Sequence, residues 1–130
     1  CLKVDQKELP VNLDVGKFMQ AMENLLENAR KYSNPDSELV LSAKREGALI
    51  HLCLSNETTK IQEEDLERLF ERFYKTDEAR TSSASTGLGL PIVKKIMELH
   101  GGKVSARLSG NRIFFDVLLE AAEENHAAKI

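Results

Sequence analysis

Apolar positions recur in two different rhythms along this chain, and the changes of rhythm mark its elements. From Val15 to Lys31, the residues Val15, Phe18, Met22, Leu25, Leu26 and Ala29 return every three or four positions, the spacing of one helix face. Asp14 stands where an N-cap belongs, behind a short strand expected at Val11 and Leu13. Tyr32-Ser33-Asn34-Pro35-Asp36 ends that helix, since Pro35 cannot continue it. The period then shortens to two. Leu39-Val40-Leu41 and Leu49-Ile50-His51-Leu52-Cys53-Leu54, joined through Arg45-Glu46-Gly47, predict a β-hairpin. Leu66, Leu69, Phe70 and Phe73 restore helical spacing over Gln62–Tyr74. A third helix is predicted after Gly87-Leu88-Gly89, with Ile92, Val93, Ile96 and Met97 inward and Pro91 in its first turn. It ends near His100, where Gly101-Gly102 stops it. A last hairpin runs from Val104 to Leu108, turns at Ser109-Gly110-Asn111 and returns from Ile113 to Leu119.

This order predicts an α+β fold: a two-layer sandwich with three helices on one face of a mixed, mostly antiparallel sheet. Strict alternation of strand and helix, the mark of a doubly wound fold, is missing. Residues 1–120 read as one domain, and residues 121–130 have little to bury and are expected to fray. The chain of 130 residues is 42% hydrophobic and 30% charged, enough for a real core and unlike a disordered or low-complexity segment. Because it begins at Cys1 in mid-pattern, it is expected to be a piece of a larger protein. The acids number 21 against 18 Lys and Arg, so no basic excess exists to neutralise nucleic-acid phosphates, and nucleic acid is not an expected partner. Two cysteines are too few for a disulfide scaffold, and Cys53 is expected as a reduced, buried thiol. No apolar run approaches the roughly 18 residues of a membrane span. Thr81-Ser82-Ser83-Ala84-Ser85-Thr86 is expected to be a mobile loop.

Two patterns carry chemistry. Asn24, Asn28 and Lys31 fall within roughly 60° of one another on the first helix, opposite its apolar stripe. Asn costs up to about 0.7 kcal/mol against Ala inside a helix, so a pair at i, i+4 asks for a reason. One reading is a solvated polar face. The other is a set of neutral hard ligands for Mg²⁺, with Lys31 meeting a phosphate as a point charge. The second pattern is Thr86-Gly87-Leu88-Gly89-Leu90 ahead of a helix. Glycines admit close backbone approach, and a helix N-terminus offers free N–H groups to phosphate. A plain flexible connector is the rival reading. No Gly-Lys-Ser/Thr follows, as a Walker A loop needs, and no strand precedes, as a dinucleotide fingerprint needs.

Together, in this order, these features resemble the catalytic and ATP-binding domain of sensor histidine kinases, within the gyrase–Hsp90–histidine kinase–MutL ATPase superfamily. Asn24-Leu25-Leu26-Glu27-Asn28-Ala29-Arg30-Lys31-Tyr32 looks like the family's N box, and Phe70-Glu71-Arg72-Phe73-Tyr74-Lys75 like its F box. Thr86-Gly87-Leu88-Gly89-Leu90 looks like its G2 box, and His100-Gly101-Gly102 follows the last helix as in the family. The resemblance spans about residues 9 to 120 and implies a Bergerat-type ATP-binding fold with ATP and Mg²⁺ as its ligands.

The resemblance also implies roles. Asn28 would ligate Mg²⁺, with Asn24 beside the metal and phosphates, Lys31 on phosphate and Tyr32 against the nucleotide. Ile61 joins the nucleotide-binding set, and Thr86, Gly87, Leu88 and Gly89 would contact the phosphates, with residues 76–86 as a lid. Arg72 and Lys75 would hold the γ-phosphate. Glu27 would orient the reaction or its water, against the plainer reading of a surface acid in an i, i+4 contact with Lys31. The family's Asp-x-Gly-x-Gly stretch is here Asn56-Glu57-Thr58-Thr59-Lys60. Asn56 can still accept from the adenine amino group, but as a neutral partner, and both glycines are replaced. Ala84-Ser85 stands where a glycine pair is usual, and Gly110-Asn111-Arg112-Ile113 where Gly-x-Gly-Thr is expected.

The implied activity is donation of the ATP γ-phosphate to a His on a separate dimerisation domain, feeding a response regulator. His51 reads as a packed or edge residue, His100 as a helix cap and His126 as part of the tail, so none is the phosphoacceptor. The isolated domain is expected to be monomeric, and the intact protein a membrane-anchored bacterial sensor kinase with this domain in the cytoplasm. The alternative is a degenerate nucleotide-binding or pseudokinase module with a conformational output, which Asn56, Thr58 and Lys60 favour.

Overall fold

In a computed structural model of the chain, residues 2–4, 10–11, 13–71, 89–121 and 128–129 are described, with side chains for 13–71 and 89–121. The elements are β1 (Leu2–Val4), β2 (Pro10–Val11), α1 (Val15–Tyr32), β3 (Val40–Glu46), β4 (Leu49–Glu57), α2 (Gly89–Leu99), β5 (Lys103–Ser109), β6 (Arg112–Glu120) and β7 (Ala128–Lys129). Five strands form one sheet in the order β1-β3-β4-β6-β5, in which β1 is parallel to β3 and every other pairing is antiparallel. β2 pairs with β7 in a separate ribbon. The expected α+β sandwich on a mixed, mostly antiparallel sheet is therefore present.

The helix count differs. Among the described residues two α-helices stand where three were expected, because Glu63–Asp65 is a 3₁₀ turn and residues 66–70 continue as turns. The backbone bonds there all reach back three residues: Asp65 to Gln62, Leu66 to Glu63, Arg68 to Asp65 and Glu71 to Arg68. Asp65 also accepts from the Gln62 N–H at 2.8 Å, which tightens the first turn. Leu69 is buried and Phe70 packs edge-on against Phe115, with ring centroids 6.4 Å apart.

α1 begins where expected. Asp14 has extended φ and ψ of −81° and 105°, and its Oδ1 accepts from the Lys17 N–H at 3.1 Å. Its buried face is Phe18, Ala21, Leu25 and Ala29, whereas Val15 and Leu26, expected inward, are exposed. α1 is covered from two sides, by α2 and by β4. That turns its core face toward the asparagines and leaves Val15 and Leu26 outside.

α2 buries Leu90, Val93, Ile96 and Met97 and closes through His100 and the two glycines. His100 Nδ1–H donates to the Ile96 carbonyl at 2.8 Å, while Nε2 accepts from the Asp14 N–H at 2.9 Å. One imidazole thus ends α2 and ties it to the cap of α1. Gly101 takes φ +70°, and a Cβ on Gly102 would lie 2.5 Å from the Leu118 carbonyl oxygen.

The sheet presents alternate residues to the helices. Ile50, Leu52 and Leu54 of β4 face Leu119, Val117 and Phe115 of β6 across the ladder, and all six are buried. Each such side chain contributes roughly 1.5–3 kcal/mol by burial. Cys53 corrects the expectation of a core thiol: it is half-buried and shares the opposite sheet face with His51.

Candidate functional site

Asn24, Asn28, Lys31 and Tyr32 are half-buried at the margin of the core, not on a face opposite it. Asn24 Nδ2 donates to the carbonyl of Gly89 at 3.5 Å, which joins the first helix to the start of α2. Asn28 buries its Nδ2 with no hydrogen-bond partner among the described residues. Tyr32 packs against the hydrophobic core. Glu27 is exposed and pairs with Arg30, one turn away, rather than with Lys31.

Across from α1, β4 carries Asn56 at its end. Asn56 is 1% exposed, and its Oδ1 likewise has no partner among the described residues, while its Nδ2 donates to the Glu57 carbonyl at 3.3 Å. A buried acceptor left unpaired costs roughly 1–3 kcal/mol, so its persistence asks for a ligand. The register sets Asn56 opposite Ile113, whose aliphatic side chain offers it no hydrogen bond.

The stretch after Asn56, where glycines were expected, is braced by its own side chains. Thr58 N–H donates to the Asn111 carbonyl at 2.7 Å, and Thr58 Oγ1 accepts from the Lys60 N–H at 3.1 Å. Thr59 donates from both its N–H and its hydroxyl to Asn34 Oδ1, at 3.1 and 3.3 Å. Lys60 Nζ reaches the carbonyl of Lys31 at 3.2 Å, at the negative end of α1. Ile61, 3% exposed, lines a cavity of about 230 Å³ with Thr58, Thr59, Gln62, Leu108 and Asn111. Asn34 and Asn111 did not emerge from sequence reasoning. Asn34 sits in a turn that reads only as punctuation before Pro35, and its partner lies 25 residues away.

The structure thus joins Asn24 to Gly89 and Lys31 to Lys60, and holds Asn56 at the end of β4 with an open acceptor. Arg72, Lys75, Thr86, Gly87, Leu88, the lid at 76–86 and His126 lie outside the described residues. The asparagine set suits Mg²⁺ chemically, since an amide oxygen is a hard neutral ligand for an ion that keeps most of its waters. A half-turn of the Asn28 amide exchanges its oxygen and nitrogen, so its unpartnered end can serve a cation or a phosphate oxygen.

Residues 13–122 match the model of the histidine kinase-, DNA gyrase B- and HSP90-like ATPase family. The sensor protein VanSC of Enterococcus gallinarum is 41% identical over 121 residues, which cover 92% of this chain and 33% of VanSC. The sensor histidine kinase WalK of Bacillus subtilis is 36% identical over 103 residues, 77% of this chain and 17% of WalK. The chain therefore spans a third or less of these relatives. Among solved structures, the nucleotide-free catalytic domain of histidine kinase ThkA superposes with a TM-score of 0.80 at 27% identity, covering 93% of this chain and 77% of that one. ThkA in complex with the response regulator protein TrrA shares the fold as well, with a TM-score of 0.77 at 24% identity over 94% of this chain and 34% of that one. The two partnerless amide ends lie on residues that the resemblance assigned to nucleotide and metal, and the family match covers both. This chain belongs to the histidine kinase-, DNA gyrase B- and HSP90-like ATPase family, and its relatives there are sensor histidine kinases.

Proposed function

We propose that this domain binds ATP with Mg²⁺ and passes the γ-phosphoryl group to a histidine on a separate dimerisation domain of the same protein. The observation that carries the reading is the pair of buried amide ends, Asn28 Nδ2 on α1 and Asn56 Oδ1 on β4, without partners among the described residues. Asn56 Oδ1 accepts the adenine amino group, and Ile61 and Tyr32 supply apolar surface for the nucleotide. Asn24 and Lys31 position the phosphates, and Asn28 holds the cation. Bound Mg²⁺ would supply neutralisation of phosphate charge. Gly89, at the start of α2, contributes a phosphate contact together with Thr86, Gly87 and Leu88, and Arg72 and Lys75 meet the γ-phosphate. Glu27 orients the reaction from the exposed side of α1. Phosphoryl transfer asks for positioning and charge neutralisation more than covalent chemistry, and this residue set offers both.

The kinship with VanSC and WalK supports extending the reading to the intact protein: a bacterial sensor kinase, anchored in a membrane, with this domain in the cytoplasm. No helix among the described residues is long and apolar enough to cross a membrane, so the anchor would belong to another segment. A response regulator is the proposed downstream partner, as TrrA is found with ThkA. The pseudokinase alternative is not favoured, because the relatives are named as sensor proteins and sensor histidine kinases. The test is ATP-dependent labelling of a supplied dimerisation domain. Magnesium-dependent labelling on histidine is expected; nucleotide binding with no transfer would put the pseudokinase reading in its place.

A further inference from the structure

The sheet face turned away from the helices carries a second cluster that ATP chemistry does not use. Cys53 of β4 stands directly opposite Asp116 of β6, and His51 lies two residues along β4 on the same face. His51 Nε2 is 2.8 Å from Asp116 Oδ1, and one donor atom from each of His51, Cys53 and Asp116 lies within 4.8 Å of the others. The three are half-buried, with side-chain exposures of 21% for His51 and 13% for Asp116.

We propose that His51, Cys53 and Asp116 form a binding site for a zinc-class divalent ion, completed by a water in the fourth position. The ligand types decide the ion. A thiolate is too soft for Mg²⁺ or Ca²⁺, whereas Zn²⁺ accepts sulfur, imidazole and carboxylate together. Tetrahedral bonds of about 2.0–2.3 Å set neighbouring ligands roughly 3.3–3.8 Å apart, so side-chain rotations of about 1 Å close the site. The ligands stand on two paired strands in the middle of the sheet, so the backbone needs no rearrangement.

The next layer of residues fits as well. Glu46 Oε1, paired with Lys44 Nζ at 2.8 Å, lies 3.7 Å from His51 Nδ1, an ion-pair rather than a hydrogen-bond distance, and puts negative charge on the Nδ1 side of the imidazole, away from Nε2. Arg107 Nε donates to Asp116 Oδ2 at 2.9 Å, which engages one carboxylate oxygen and leaves Oδ1 facing His51. The Arg107 guanidinium is itself fixed 4.2 Å above the Phe114 ring. The rival reading is a metal-free ion-pair network of Asp116 with His51 and Arg107.

Cobalt(II), a coloured stand-in for zinc, separates the two. The chain titrated with Co²⁺ should show a thiolate charge-transfer band and the strong visible bands of tetrahedral coordination, both bleached by one equivalent of Zn²⁺. Cys53→Ser should abolish the charge-transfer band and weaken zinc binding roughly tenfold or more, and Cys1→Ser should change neither. Zinc should also raise the unfolding temperature of the native chain and not that of Cys53→Ser. Should Cys53→Ser fail to fold, His51→Gln carries the same test through loss of the tetrahedral bands. Binding unaffected by Cys53→Ser and His51→Gln, a thiolate band lost in Cys1→Ser, or no cobalt spectrum at all would each overturn the site in favour of the ion-pair network.

Discussion

Asn28 and Asn56 differ from the other polar residues of the core margin in what they lack. Asn24 finds the Gly89 carbonyl, and Asn34 holds two donors of Thr59, but one amide end on Asn28 and one on Asn56 have no partner among the described residues. On Asn56 the open atom is an acceptor, which is what an adenine amino group requires. This makes a prediction with opposite signs in two assays. Asn56→Asp replaces a neutral acceptor by a charged one, and charge-assisted hydrogen bonds are about twice as strong, so an ATP analogue should bind roughly fivefold tighter. The ligand-free domain should lose about 1–3 kcal/mol in urea unfolding, because the new carboxylate is buried without a cation. Calorimetry and denaturation read the two effects separately, and weaker nucleotide binding in Asn56→Asp would place the adenine elsewhere.

Between elements, the stretch after β4 and the end of α2 are where single residues hold two segments together. Asn34→Ala removes both hydrogen bonds to Thr59 and should cost about 1–2 kcal/mol in urea unfolding. Nucleotide affinity should fall with it, since Ile61 stands two residues on. At the other junction, Gly102 meets the backbone of β6 so closely that a methyl group has no room. Gly102→Ala should cost about 1–3 kcal/mol, read as a lower urea midpoint with an unchanged m value. α1, α2 and the last hairpin are legible in the sequence because their apolar residues repeat at one period for long enough, and the first hairpin because two apolar runs flank Arg45-Glu46-Gly47. Residues 62–71 mislead because a spacing of three, as in Leu66 and Leu69, suits a 3₁₀ turn as well as an α-helix. Cys53 misleads for a related reason. The run Leu49 to Leu54 is nearly all apolar, so its alternation is hidden until Asp116 is found opposite. Asn24 and Asn28 stand out because asparagine is unexpected mid-helix. Asn34 and Asn111 stay silent because their partners are distant in sequence and are bonded through tertiary geometry.

The whole molecule divides its labour between the two faces of one sheet. The helices cover one face, where Asn24 of α1 meets Gly89 at the start of α2 and Asn56 is buried at the end of β4, while the other face carries the His51–Cys53–Asp116 cluster. That division leaves no histidine among the described residues suited to receive a phosphoryl group. His51 is paired with Asp116, and both ring nitrogens of His100 are engaged in joining α2 to the cap of α1. The isolated chain given radiolabelled ATP and Mg²⁺ should therefore show no label on His51 or His100 by mass spectrometry, and label on either would contradict the assignment. The most direct test of the nucleotide site is calorimetric titration with a non-hydrolysable ATP analogue, with and without Mg²⁺, on the native chain and on Asn28→Ala. Binding that requires Mg²⁺ and falls at least roughly tenfold in Asn28→Ala is the predicted result. No heat at millimolar nucleotide, or binding that Asn28→Ala leaves unchanged, would contradict it.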